Sequence, residues 1–233
     1  MDVVEIDLDK YQSMEAALSP QITVNGQDVF STDLQILRDE SKWLNKRLIN
    51  AGQRMLHESF PETAGLYDMC YSDTLNYPRN LSKGLVQILN VSKTHWVCIS
   101  SKGCKPNTVK VYDSQRSGDL PLSVKEVIAA LIRCDKKKVF LLFPDVQQQA
   151  NSSSCGIFAL AFASTLCEDK DPAKTRYDFP CMRAHFLQCL QQRKFTSFPS
   201  SSTMYNPAKP LITKLPDLLC LPSTEQRRKN DLL

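Results

Sequence analysis

Histidine is scarce in this chain: 233 residues contain three, His57, His95 and His185, so chemistry that needs an imidazole base has few places to occur. Tryptophan is scarcer, with only Trp43 and Trp96. No apolar run approaches the roughly 20 residues of a membrane-spanning helix, and no stretch has the layout of a secretory signal, so neither membrane nor export is expected. The nine cysteines are odd in number and irregularly spaced, which argues against a disulfide framework and for a reducing, intracellular setting, nucleus or cytoplasm. Charge of one sign is also lacking: 29 basic and 25 acidic residues leave +4, too balanced to imply a nucleic-acid partner. The acidic N-terminus is unlike an Arg-rich mitochondrial presequence, the basic run at 226–229 is too short to read as a nuclear signal, and no internal repeat is visible. This length supports one sizeable core. The expected organisation is an N-terminal segment (1–30) of undetermined packing, one folded unit (31–196), and a Pro- and Ser-rich, flexible tail (197–233).

Within the folded unit, residues 149–156 carry the most information. Upstream, the apolar run at 138–143 predicts a buried strand; downstream, 156–166 is apolar nearly all round and predicts a buried helix. Cys155 falls where a polar loop enters that helix. Unpaired backbone N–H groups and the positive end of the helix dipole meet there, and both favour a thiolate. Ser152, Ser153 and Ser154 are candidates to cap the helix, and Gly156 would let a substrate carbonyl approach the backbone.

A thiolate needs a base. His57 ends an amphipathic helix expected over 41–60, and His185 lies inside another expected over 177–192. His95 alone opens a strand, at 94–100, followed by a turn and a second strand at 108–113. Such a hairpin brings Asp113 back beside His95, where a carboxylate on one ring nitrogen leaves the other to take the cysteine proton. Further elements are a strand at 85–91 and a helix at 123–134.

Four motifs, in order, resemble the ubiquitin-like-protein-specific cysteine proteases, the family of the SUMO-specific proteases, with the adenovirus endopeptidase as a distant relative. They are Trp43-Leu44-Asn45 with Ile49-Asn50; His95-Trp96; Tyr112-Asp113-Ser114; and Gln149, Asn151, Ser154, Cys155 and Gly156. The resemblance implies an α+β fold of the papain-like type: a twisted, mostly antiparallel sheet with helices packed around it. It implies Cys155 as nucleophile, His95 as base, Asp113 as its orienting group, and Gln149 as oxyanion donor six positions before the cysteine, with Gln147 and Gln148 as neighbouring alternatives. It further implies that Trp43, Trp96, Asn45, Lys46 and Gly156 bind substrate, the indoles roofing an extended Gly-Gly tail. The implied activity is hydrolysis after the C-terminal Gly-Gly of a ubiquitin-like modifier, SUMO-type or Nedd-type, in maturation or deconjugation. The implied protein is a monomer with no cofactor, no metal, and no nucleic-acid or membrane partner.

Two positions depart from the family pattern. Ser154 stands where the family usually has Asp, away from proton transfer, and Lys46 replaces an Asp, a charge reversal that leaves the modifier open. Two other classes therefore stay open: a polyprotein-processing peptidase of a mobile element or virus-derived gene, and a catalytically silent modifier-binding module. Cys181, His185 and Cys189 share a helix face but lack an evident fourth metal ligand, and the lysines at 136–138 read as a solvated turn.

Overall fold

In the computed structural model, which describes residues 19–77, 84–116, 119–132 and 139–201 and the backbone of 211–214, the chain is organised around one twisted sheet. Five of its strands are β3 (Ala64–Gly65), β4 (Leu85–Val91), β5 (His95–Ser100), β6 (Thr108–Tyr112) and β7 (Phe140–Phe143). A sixth, β10 (Leu211–Lys214), closes one edge, giving the order β10-β7-β6-β5-β4-β3. Three of the five pairings are antiparallel; β3 with β4 and β6 with β7 run parallel, so the sheet is mixed as well as mostly antiparallel. The parallel pairing of β6 and β7 requires a crossover, which helix α4 (Leu122–Ile132) supplies; a short helix α3 (Cys70–Thr74) precedes β4.

All six residues of β5 are buried because both faces of the sheet are covered. Trp96 and Cys98 join one core, with helices α2 (Lys46–Ser59), α5 (Cys155–Cys167) and α6 (Phe179–Gln192). Val97 and Ile99 join the other, with Val124, Ile128 and Leu131 of α4. This explains why the strand reads as a continuous apolar run rather than an alternation. Helix α5 is the central rod, with every residue buried. It can touch α2 because Gly52 has no side chain: a Cβ there would lie 2.3 Å from Leu160 Cδ2.

The helix expected over 41–60 begins at Lys46 instead. Asn45 caps it, its Oδ1 accepting from the Leu48 amide at 3.0 Å, so residues 41–45 are left as a loop beside a separate helix α1 (Ser31–Arg38). Two boundaries also differ. The N-terminal segment contributes a hairpin, β1 (Ile22–Val24) and β2 (Gln27–Val29), whose Val24 and Val29 are buried in the main core. The C-terminal tail is not loose throughout: Phe198 is buried, Ser200–Ser201 (β9) pairs with Arg176–Tyr177 (β8), and β10 joins the sheet. Phe198, among serines and prolines, supplies an anchorage that average composition conceals. Residues 1–18 of the N-terminal segment lie outside the described residues. Among those described, no helix is long and apolar enough to cross a membrane.

Candidate active site

Cys155 is the first residue of α5 and is 1 % exposed. The serines before it do not cap the helix. Ser154 Oγ is buried without a hydrogen-bond partner, and Ser153 Oγ donates to Glu40 O at 2.5 Å, spending itself on the α1–α2 loop. The Ser152 carbonyl accepts from Trp43 Nε1 at 2.8 Å. The loop that presents the cysteine is thus tied to the segment before α2, a contact between residues more than a hundred positions apart.

His95 opens β5 and Asp113 directly follows β6, so the antiparallel hairpin brings them together. His95 Nε2 donates to Asp113 Oδ1 at 2.7 Å, and the same oxygen accepts from the Gln115 amide at 2.8 Å. Nδ1 is left buried with no hydrogen-bond partner among the described residues, and the Cys155 thiol is near enough to the imidazole to raise its proton affinity. Burial opposes the imidazolium, but the hydrogen bond to Asp113, the contact with Cys155 and the charges of both outweigh it, pushing the His95 pKa up to about 9. His57 and His185 are elsewhere: His57 in the last turn of α2, His185 in α6, where its Nε2 meets Thr196 O at 3.0 Å and Cys189 Sγ at 3.5 Å. Cys181 on the same helix is exposed, and among the described residues no group of three or more potential ligands could hold a metal ion.

The three glutamines are distinguished by their partners. Gln147 is paired with the Tyr177 backbone through both ends of its amide, and Gln148 Nε2 donates to two carbonyls, of Asp113 and Val146. Gln149 accepts from Ser114 Oγ at 2.6 Å and gives one N–H to Asn151 O at 2.6 Å, which leaves its second amide hydrogen undirected by these bonds.

Trp43 and Trp96 line one groove together with Leu44, Lys46, Asn90 and Lys93. Trp96 is buried and donates from Nε1 to Leu44 O at 2.9 Å, while Trp43 is 45 % exposed. Asn45 also lines this groove, and it and Gly156, both expected to bind substrate, have structural duties as well. Asn45 spends its carbonyl as a helix cap and donates from Nδ2 to Asp33 Oδ1 at 2.5 Å. Gly156 is glycine because the protein itself crowds it: an added Cβ would lie 2.9 Å from Leu44 Cβ and 3.2 Å from Trp96 Cδ1. Lys46 is exposed at the start of α2.

Arg183 escaped the sequence reading. It is 6 % exposed, and its guanidinium donates to the carbonyls of Ile36, Asp39, Lys42 and Ser153, joining α6 to the end of α1, to the α1–α2 loop and to the cysteine's loop. Desolvation lowers its pKa, partly offset by nearby acidic groups. The available signal was a charge inside the apolar stripe of α6 formed by Met182, Phe186, Cys189 and Leu190. Asp33 was missed too: fully buried, it accepts a forked pair from Arg47 at 2.9 and 3.0 Å and the Phe30 amide at 2.9 Å, and it holds the entry of α2.

The family model of the Ulp1 protease family, C-terminal catalytic domain, matches residues 83–196. The fold resembles the SUMO protease Ulp1 with its catalytic cysteine oxidised to a sulfenic acid (TM-score 0.60, 16 % identity, 82 % of this chain and 96 % of that one). It also resembles the C-terminal Ulp1 protease domain in complex with Smt3, the yeast ortholog of SUMO (TM-score 0.58, 16 % identity, 81 % and 96 %). A third likeness is to the Chaetomium thermophilum Ulp1-like SUMO protease catalytic domain (TM-score 0.57, 16 % identity, 84 % and 93 %). No curated protein sequence matches the chain. An α+β scaffold of papain-like type together with this family match defines a cysteine peptidase. Residues 83–196 match the Ulp1-type catalytic domain of the ubiquitin-like-protein-specific cysteine proteases, and the fold of the chain is like that of its solved members.

Proposed function

We propose that this peptidase hydrolyses the bond after the C-terminal Gly-Gly of a ubiquitin-like modifier, SUMO-type foremost, either maturing a precursor or releasing the modifier from a lysine. The observation that carries the reading is the buried, unpartnered Nδ1 of His95, with the opposite nitrogen on Asp113 and the Cys155 thiol near the imidazole. Cys155 gives its proton to Nδ1 and attacks the glycyl carbonyl carbon. The oxyanion that forms takes hydrogen bonds from the Cys155 backbone N–H and from Gln149, a type of interaction worth about 3 kcal/mol per donor. The undirected amide hydrogen of Gln149 favours it over Gln147 and Gln148. The His95 imidazolium then protonates the departing amine, and the C–N bond breaks to leave a thioester. Water, deprotonated by His95, attacks the thioester, releasing the modifier's carboxylate and restoring the thiol. The groove between Trp43 and Trp96 supports a tail without side chains, because a flat indole over an extended backbone leaves no room for a Cβ. A silent binding module accounts less well for a site in which every member of the constellation is filled.

Vinyl-sulfone probes built on SUMO, a Nedd-type modifier and ubiquitin test this. SUMO–vinyl sulfone is expected to label the wild-type protein covalently and to leave Cys155→Ser unlabelled while it still binds. Absence of labelling by all three, or labelling that survives in Cys155→Ser, would overturn the proposal.

A further inference from the structure

Gln149 lies in an irregular loop and is only half-buried, yet an oxyanion donor works only if it is held in place before the charge forms. What holds it is Ser114. The Ser114 hydroxyl donates to Gln149 Oε1 at 2.6 Å, and the Gln149 backbone amide donates to the Ser114 carbonyl at 2.9 Å. Ser114 is 1 % exposed, so bulk water does not compete for that hydroxyl. The direction of each side-chain bond is dictated by chemistry. Asn151 O can only accept, so the side-chain nitrogen of Gln149 must face it, at 2.6 Å, and the Ser114 hydroxyl must then donate to the oxygen.

A primary amide is planar. With its oxygen fixed by Ser114 and one N–H fixed on Asn151, the plane is set, and so is the direction of the second N–H. Without the hydroxyl, the amide can swing about the remaining Nε2–H···O bond, and the second N–H swings with it. We propose that Ser114 is a positioning residue for the reaction: it holds the Gln149 amide in the plane that presents its second N–H to the oxyanion. The inference rests on the reading above, in which Gln149 is an oxyanion donor, and adds what orients it. Asp113 and Ser114 are consecutive and directly follow β6, so one strand end orients the base and the oxyanion donor alike.

The test is a double-mutant cycle in the whole chain, read on whichever aminocoumarin conjugate is cleaved: that of SUMO, of a Nedd-type modifier or of ubiquitin. Gln149→Ala should lower kcat by about 10²- to 10³-fold, the usual loss for one oxyanion donor. Ser114→Ala should lower kcat by about 5- to 50-fold and leave KM within about twofold, because the donor is misplaced rather than removed. Ser114→Cys, close in size but a weak donor, should behave alike. In the Gln149→Ala background, Ser114→Ala should cost nothing further, since the two residues act through one group. Inactivation by iodoacetamide should keep its wild-type rate in Ser114→Ala, because the thiolate then attacks a saturated carbon and no oxyanion forms. Full kcat in Ser114→Ala, an equal loss with and without Gln149, or an alkylation rate that falls with turnover would overturn the inference and leave the peptidase reading standing. Failure to cleave any conjugate, or an unchanged kcat in Gln149→Ala, would instead count against the parent reading and remove this one with it.

Discussion

His95 spends one ring nitrogen on Asp113 and keeps the other buried beside Cys155, and this division has a pH signature. Its pKa rises from 6.5 to about 9 on folding. A histidine raised in this way contributes stability that is fully present below pH 6.5 and is lost as pH climbs through about 9. The urea midpoint of the wild type should therefore fall between pH 6.5 and 9, and the fall should be smaller in His95→Gln. Buried thiols and phenols dominate only at higher pH: burial pushes Cys167 up to about 12 and raises Cys98 and Tyr112 as well, so they cost stability once their unfolded counterparts ionise. Parallel curves for wild type and His95→Gln from pH 6.5 to 9 would show that His95 does not gain its proton affinity on folding.

At the scale of elements, the site is assembled by ties between segments remote in sequence. Arg183 on α6 holds four carbonyls, of Ile36 in α1, Asp39 and Lys42 in the α1–α2 loop and Ser153 in the cysteine's loop, while Trp43 ties those two loops together through Ser152 and Trp96 ties β5 to the first of them through Leu44. A planar fork serves several acceptors at once, which an ammonium on a flexible stem cannot reproduce. Arg183→Ala is expected to cost about 3–5 kcal/mol in urea denaturation, the range for removing one partner of a buried charged network. Arg183→Lys should recover part of that stability yet remain impaired in turnover, because the loops carrying Trp43 and Cys155 would no longer be held in register. Wild-type turnover in Arg183→Lys would show that the fork is dispensable.

For the whole molecule, the boundaries of the folded unit follow burial rather than composition. Val24 and Val29 are 2 % and 0 % exposed, and the hairpin carrying them is fastened to α2 through Asn25, whose amide meets Glu58 and whose carbonyl accepts from Arg54 at 2.8 Å. A chain beginning at residue 31 would lose the burial of both valines, at about 1.5–3 kcal/mol each. It should therefore unfold at lower urea by about 3–6 kcal/mol relative to a chain beginning at residue 19. An unchanged midpoint would show that residues 19–30 are an appendage.

Much was legible in the sequence because it is governed by local patterns. The strand at 85–91 lies where the apolar run ends, the central helix starts at Cys155 where a polar loop gives way to apolar residues, and the hairpin that joins His95 to Asp113 follows from two strands and a short turn. Local physics decides these features, since strand and helix periods, caps and turns act within a few residues. Only the tertiary structure decided why position 156 is glycine, why Asn45 faces inward and why an arginine is buried in α6. Each answer depends on atoms brought from distant parts of the chain: Leu44 and Trp96 over Gly156, Asp33 beside Asn45, and carbonyls some 30 to 147 positions from Arg183. Such partners leave no periodic trace along the sequence, because their contacts are set by how helices and loops pack across the sheet.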